Sequence, residues 1–229
     1  MANKKKEPYW IGFDLGGTKM LSVVFDHNLK PIGRKRKKTR SSEGQDTGVA
    51  RIVKTIEKSL EDAGLDKDAL AGIGIGCPGP MDMDRGVLHE TPNLGWKALP
   101  LRKLLEDAFG CPCHPLNDVD AGVYGEYRAG AAQGARCVIG AFPGTGIGGG
   151  CVYNERVFSG AGLSCFEIGH MQVQPHGPLC GCGQRGCLES VASRLAISSA
   201  AAAAAYRGEA PHLLANAGTD LGNIRSGAL

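Results

Sequence analysis

Trp10-Ile11-Gly12-Phe13-Asp14-Leu15-Gly16-Gly17-Thr18-Lys19-Met20-Leu21-Ser22-Val23-Val24-Phe25 is the stretch whose reading decides the fold. Trp10 to Asp14 reads as a strand, Leu15 to Lys19 as a tight turn, and Met20 to Phe25 as a returning strand. Asp26-His27-Asn28 supplies the next turn, so the whole is a hairpin with a glycine tip. The pattern returns later. A strand over Cys137–Phe142 enters the turn Gly144-Thr145-Gly146-Ile147-Gly148-Gly149-Gly150 and leaves through Cys151-Val152-Tyr153. Ile11-Gly12 precedes the first turn as Ile139-Gly140 precedes the second. A recurring unit of this kind implies two related α/β lobes with a cleft between them. The expected division is a small N-terminal lobe over residues 1–116 and a C-terminal lobe over 117–229, the larger of the two though incomplete.

Outward from the first hairpin, Pro31–Thr39 reads as a third strand carrying Arg34-Lys35-Arg36-Lys37-Lys38. Such a run can be a nuclear signal or a polyanion site. A solvated edge strand, whose charges block edge-to-edge pairing, is the preferred reading. Val49, Ile52, Val53, Ile56 and Leu60 follow helical spacing, and Gly64 ends that helix. Ala71–Gly76 reads as a strand of small residues. Leu101–Phe109 and Ala121–Ala132 read as helices, with Leu116-Asn117-Asp118-Val119-Asp120 leading into the second. One helix is expected from Leu188 to Tyr206 through the alanines 200–205, favoured by alanine's propensity. Another helix begins after Pro211. The ending Ser226-Gly227-Ala228-Leu229 resembles neither a finished strand nor a closing helix, so a missing C-terminal part is expected.

The composition removes several classes. Of 229 residues 42% are hydrophobic and 21% charged, with a net charge of +3, which excludes a disordered acidic or basic chain and gives no general nucleic-acid footprint. No apolar run is long enough to span a bilayer. The start, Met1-Ala2-Asn3-Lys4-Lys5-Lys6-Glu7, lacks the apolar core of a secretory signal. A cytoplasmic protein with no membrane partner is expected. Glycine numbers 35, about twice the usual share. Cysteine numbers 9. In a chain without an export signal, this points to reduced thiols or a metal site rather than a disulfide framework.

Five signals carry chemistry. In Asp14-Leu-Gly16-Gly17-Thr18-Lys19, glycines let backbone N–H groups approach phosphate oxygens and the threonine hydroxyl adds a donor. The preceding acid can hold water on Mg²⁺. A bare tight turn is the competing reading, and the Walker A order is absent. The loop from Gly144 to Gly150 is ambiguous in the same way, but two such loops fit a nucleotide gripped across a cleft. His170 followed by Cys180-Gly-Cys182-Gly-Gln-Arg-Gly-Cys187 offers one imidazole and three thiols, a set suited to a closed, structural, tetrahedral zinc. Cys77, Cys111, Cys113, Cys137, Cys151 and Cys165 read as packed or idle thiols, and Cys111-Pro-Cys113-His114 lacks further ligands nearby. Asp118, at a strand's C-terminal end, can accept a proton from a substrate hydroxyl or cap the following helix. Asp120 is the better cap candidate, which frees Asp118. Glu167 and Glu189 bracket the thiol loop as fixed acceptors for a hydroxyl-rich ligand, or as solvated or capping carboxylates.

Together these residues resemble the ROK family of repressors, open-reading-frame proteins and sugar kinases, over about residues 10 to 195. The resemblance runs through Asp14-Leu-Gly-Gly-Thr-Lys19, Gly74-Ile-Gly-Cys-Pro-Gly-Pro80 and Pro92-Asn93-Leu-Gly-Trp96. It continues through Asn117-Asp-Val-Asp-Ala121, Gly144-Thr-Gly-Ile-Gly-Gly-Gly150, Glu167-Ile-Gly-His170 and, most specifically, Cys180-Gly-Cys-Gly-Gln-Arg-Gly-Cys-Leu-Glu189. It implies a two-lobed, actin-like (ribonuclease-H-like) α/β fold with a zinc-binding loop. It implies ATP with Mg²⁺, a hexose substrate, structural Zn²⁺ on His170, Cys180, Cys182 and Cys187, and a homodimer. Asp118 matches the catalytic base. Gly79, Asn93, Asn117, Asp118, Glu167, His170 and Glu189 match sugar-contacting positions. Asp14, Gly16, Gly17, Thr18 and Lys19, with Thr145 and Gly146, match the phosphate side.

The expected activity is an ATP-dependent hexose kinase, most like a glucokinase acting on the 6-hydroxyl of glucose. An N-acetylmannosamine or N-acetylglucosamine kinase and a fructokinase stay open on the same residues. A sugar-responsive repressor is disfavoured, because about nine residues before Trp10 are too few for a helix-turn-helix. A non-catalytic sugar-binding or regulatory module is the remaining alternative.

Overall fold

A computed structural model of the chain describes residues 7–91, 94–160, 166–224 and 227. It divides into two compact units that interleave along the sequence. One takes Met1–Val138 and Val152–Cys165, the other Ile139–Cys151 and Phe166–Leu229.

In the first unit, β1 (Tyr9–Leu15) and β2 (Lys19–Phe25) form the expected hairpin, and β3 (Pro31–Lys38) pairs antiparallel with β2. Helix α1 (Gln45–Ala63) then leads to β4 (Leu70–Cys77), which lies parallel to β1. Next come three short strands, β5 (Met81–Asp82), β6 (Val87–Thr91) and β7 (Trp96–Leu99), which make a separate antiparallel sheet. Helix α2 (Leu101–Phe109), β8 (Cys113–Asn117) and α3 (Asp118–Ala129) follow. The main sheet is mixed, in the order β3-β2-β1-β4-β8. The basic run therefore sits on an edge strand, and most of it is exposed.

Strand alternation sorts the sheet's two faces. Ile11, Phe13 and Leu15 of β1, Met20 and Val24 of β2, and Ile73, Ile75 and Cys77 of β4 are buried in one cluster with Ile52, Ile56 and Leu60 of α1 and Leu101, Leu105 and Phe109 of α2. Gly64 stops α1 with φ 68°, the left-handed conformation a glycine adopts at low cost. The intervening residues Gly12, Asp14, Leu21, Val23, Phe25, Gly74 and Gly76 face the other way and help line a groove of about 400 Å³ beside α3. The small sheet docks onto α1 through Trp96, whose indole fills the place of a side chain at Gly48.

The hairpin of β9 (Cys137–Pro143) and β10 (Ile147–Tyr153), with β11 (Arg156–Val157), forms the third sheet. Its tip is tighter than the expected Gly144–Gly150 loop, because Ile147 to Gly150 are already strand. The second unit holds this tip, a 3₁₀ turn at Ile168–His170, and helices α4 (Leu188–Ala192), α5 (Arg194–Tyr206) and α6 (Pro211–Ala217). The single helix expected from Leu188 to Tyr206 is two. Ser193 breaks it, its hydroxyl accepting the Ala196 N–H at 3.2 Å and capping α5. Helix α3 is also shifted, running Asp118–Ala129 rather than 121–132. No described helix is long and apolar enough to cross a membrane.

Candidate functional site

The first unit gathers two carboxylates at the ends of parallel strands. Asp14 lies near the C-terminal end of β1, on the groove face, with Gly76 of β4 as its cross-strand partner. A Cβ on Gly76 would sit 3.4 Å from the Asp118 Cα and 3.6 Å from the Ala121 Cβ. The bare backbone of β4 thus lets the start of α3 lie close on the sheet. Asp118, the first residue of α3, comes near Asp14 in this way.

The cap of α3 is Asn117, not Asp120. The Asn117 Oδ1 accepts the N–H of Val119 at 2.9 Å and of Asp120 at 3.3 Å. Asn117 sits outside the first turn, where its backbone is extended, φ −58° and ψ 144°, and from there a side chain reaches the orphan N–H groups. Asp120 instead points inward and is buried. Asp118 stays half-buried, with one carboxylate oxygen 3.0 Å from the Val119 nitrogen. Burial pushes its carboxyl above the ordinary range, against the Val119 N–H, and the Asp14 charge adds to the rise. Asp14 reaches solvent but is shielded enough that desolvation also raises its carboxyl, with Arg36 opposing.

The turn after Asp14 is pinned from one side. The Gly16 N–H donates to the Lys19 carbonyl at 3.0 Å, and a Cβ on Gly16 would sit 2.7 Å from that oxygen. Thr39, fully buried, donates its hydroxyl to the Gly16 carbonyl at 2.6 Å, and its N–H to the Thr18 carbonyl at 2.9 Å. Gly17, Thr18 and Lys19 are left toward solvent at the tip. Gly79, with φ 90°, follows β4 and packs against Glu90 and Thr91 of β6. Asn93 lies outside the described residues, as does Cys165.

The second unit gathers the remaining candidates. The ligand atoms of His170, Cys180, Cys182 and Cys187 all lie within 4.8 Å of one another. The Cys182 and Cys187 sulfurs are 3.7 Å apart, and the His170 Nδ1 is 3.6 Å from the Cys180 sulfur. Zinc–sulfur bonds of about 2.3 Å and zinc–nitrogen bonds of about 2.0 Å give tetrahedral edges of about 3.8 Å and 3.5 Å. The two sulfur and nitrogen distances match those edges, and the four side chains could hold a metal ion. The loop reaches this shape through Gly183 and Gly186, with φ 90° and 72°, and through the Cys180 N–H, which donates to the Gln184 carbonyl at 2.7 Å.

Glu189 stands in the first turn of α4, just past Cys187. One of its carboxylate oxygens accepts the Ile147 N–H at 2.9 Å, beside Thr145 and Gly146 in the β9–β10 tip. Glu167 is exposed, and its carbonyl accepts the His170 N–H at 3.0 Å. Arg194, at the start of α5, was not singled out from the sequence. Its N–H donates to the Gly144 carbonyl at 3.0 Å, and its guanidinium reaches the Thr145 hydroxyl at 3.5 Å. No local signal marks it, since an arginine opening a helix is ordinary. Thr39 was missed in the same way. Gly76 was legible only as one of several small strand residues.

Known proteins resemble this chain in sequence and fold. The chain is 34% identical over 191 residues to a glucokinase of Halalkalibacterium halodurans, covering 83% of this chain and 58% of that protein. It is 32% identical to a xylose repressor of Bacillus spizizenii, covering 84% of this chain and 50% of that one. The chain therefore spans little more than half the length of these relatives. Among solved structures, a ROK family glucokinase from Streptomyces griseus in complex with glucose and AMPPNP superposes with a TM-score of 0.78 at 32% identity, over 96% of this chain and 69% of that one. The family's sequence profile matches residues 10–220, from the opening hairpin through the thiol loop to just beyond α6, and the chain belongs to the ROK family.

Proposed function

We propose that the protein is an ATP-dependent hexose kinase that phosphorylates glucose on its 6-hydroxyl. The observation that carries this reading is Asp118, half-buried at the start of α3 beside Asp14. The similarity to glucokinases, and to a structure holding glucose and AMPPNP, supports it.

In this reading Asp118 accepts the proton of the attacking sugar hydroxyl. Burial raises its carboxyl above the ordinary range and so makes it a better base than a free aspartate. Phosphoryl transfer asks the protein mainly for positioning and charge neutralisation. Gly16, Gly17, Thr18 and Lys19, and likewise Thr145 and Gly146, would hold the donor's phosphates, and Asp14 would help hold Mg²⁺, which would neutralise phosphate charge. Gly79, Asn93, Asn117, Glu167, His170 and Glu189 hold the sugar. His170 and the thiols of Cys180, Cys182 and Cys187 would hold zinc, and the imidazole and neighbouring glutamates would be fixed in place by that ligation.

Similarity to a xylose repressor favours a second reading, a sugar-responsive regulator without turnover. Sugar-dependent ADP release separates the two. Glucose, mannose, fructose, N-acetylglucosamine and N-acetylmannosamine are offered in turn, with Asp118→Asn as the blank. Release with one sugar, absent in the blank, supports the kinase and names its substrate. Sugar binding without release from any of them favours the regulator.

A further inference from the structure

We propose that Glu189 is a positioning residue that couples the metal loop to the Gly144–Ile147 turn, so that metal occupancy sets the order of that turn. Its consequence for the donor rests on the reading of that turn as a phosphate cradle.

Arg194 holds the Gly144 end of the turn; the Ile147 end is gripped from two sides, and both of those grips end on a metal ligand. On one side, the Glu189 carboxylate accepts the Ile147 N–H at 2.9 Å. A Cβ on Gly146 would overlap the same carboxylate, so the glycine is what lets it close on the strand. Glu189 follows the ligand Cys187 by two residues on the first turn of α4. Its other oxygen lies 3.9 Å from the Cys180 sulfur. On the other side, the segment Phe166–His170 lies against β10. A Cβ on Gly169 would overlap the Ile147 carbonyl, and one on Gly149 would overlap the Phe166 carbonyl. That segment ends on the ligand His170.

Without metal, residues 170–187 are held by separate contacts, such as the Gln172–Cys187 bridge, the Leu188 N–H to the Met171 carbonyl at 2.9 Å and the Gln172 side-chain amide to the Arg185 carbonyl at 2.9 Å. An ion on all four ligands ties both ends of this loop to one point and removes its freedom to open. Both grips then become parts of one rigid piece. The Ile147 N–H is the group whose protection reports it.

Backbone amide exchange at Ile147 tests the coupling in the full chain, loaded with Zn²⁺ and after chelation. Chelation is expected to speed that exchange at least tenfold. Glu189→Ala is expected to speed it similarly while elemental analysis still finds zinc at the wild-type ratio. Glu189→Gln keeps an oxygen that can accept the N–H and is expected to restore protection. Should chelation unfold the second unit, the zinc-loaded Glu189→Ala protein decides alone. Unchanged Ile147 protection in Glu189→Ala, or on chelation of folded protein, overturns the proposal. Binding of a fluorescent ATP analogue without sugar is the separate readout for the cradle. Weakened binding in zinc-loaded Glu189→Ala is expected. If no form of the protein binds the analogue while Ile147 behaves as expected, the kinase reading falls and the coupling stands.

Discussion

Replacing Asn117 with alanine removes the cap of α3 and should harm the proposed chemistry more than the fold. The Asn117 side chain serves two N–H groups, at 2.9 Å and 3.3 Å. The first has a second acceptor, the Asp118 carboxylate at 3.0 Å, so the loss falls mainly on the Asp120 N–H. Cap losses of this kind cost about 1 kcal/mol, a fall in Tm of roughly 2–4 °C for a chain of this size. The larger effect follows from what takes over the cap. Asp118 is the nearest remaining acceptor, and engaging it turns the proposed base toward the helix and away from the sugar. A drop in kcat/KM of at least about tenfold is expected, equivalent to about 1.4 kcal/mol. Asn117→Asp separates the two roles. Aspartate caps as well as asparagine and suits the helix dipole, so the urea midpoint should stay near wild type. Its charge joins those of Asp14 and Asp118 and raises the Asp118 carboxyl further, moving the acid limb of the pH–rate profile upward. Urea melts and kcat/KM measured from pH 5 to 8 on the three proteins make the comparison. If Asn117→Ala melts like wild type, or Asn117→Asp is as unstable as the alanine variant, the capping argument is wrong.

Asp118→Asn should abolish phosphorylation, leave sugar binding largely intact, and raise stability at pH 7. Burial raises the folded-state pKa of Asp118, so its contribution is complete below the unfolded value and is lost as pH rises through the folded one; the neutral amide avoids that loss. Wild-type turnover in this variant would overturn the base assignment, and a lower urea midpoint would overturn the burial argument. Asp14→Asn removes a neighbouring negative charge, so the Asp118 carboxyl should titrate at lower pH by carbon NMR; an unmoved titration would show that the two groups do not interact. Elemental analysis should find about one zinc per chain, from the four-ligand count, and Cys182→Ser should reduce it; metal-free folded protein would remove the site. Gly48→Ala should destabilise by about 1–3 kcal/mol, because the new methyl overlaps the Trp96 ring. Helix propensity alone predicts a gain of about 1 kcal/mol, so the sign of the change in a urea melt decides which effect wins.

The hairpins, α1, α2, β4 and the thiol loop could be read from the sequence because each has a local cause. Glycine turns, a 3.6-residue apolar stripe, a stop at Gly64, and four ligands within one loop all act over short range. The membership of the chain in its family was also legible, since it rests on the same local motifs. Other features depend on competition between neighbours. Asn117 takes the cap because it sits one residue outside the helix with extended backbone, while Asp120 falls on the buried side of the first turn. Ser193 breaks a helix that alanine propensity would continue, because its hydroxyl offers the next N–H groups a better partner. The β5–β6–β7 sheet gave no signal, as its strands are short and held by Trp96 against Gly48. The pairing of Asp14 with Asp118 is decided by tertiary structure alone. It depends on β1 and β4 lying parallel in register and on Gly76 having no side chain, so that α3 can settle on the sheet. The candidate site residues were legible in the sequence as local motifs; packing determined which of them meet, because a strand's register and a helix's approach are set by residues far apart in the chain.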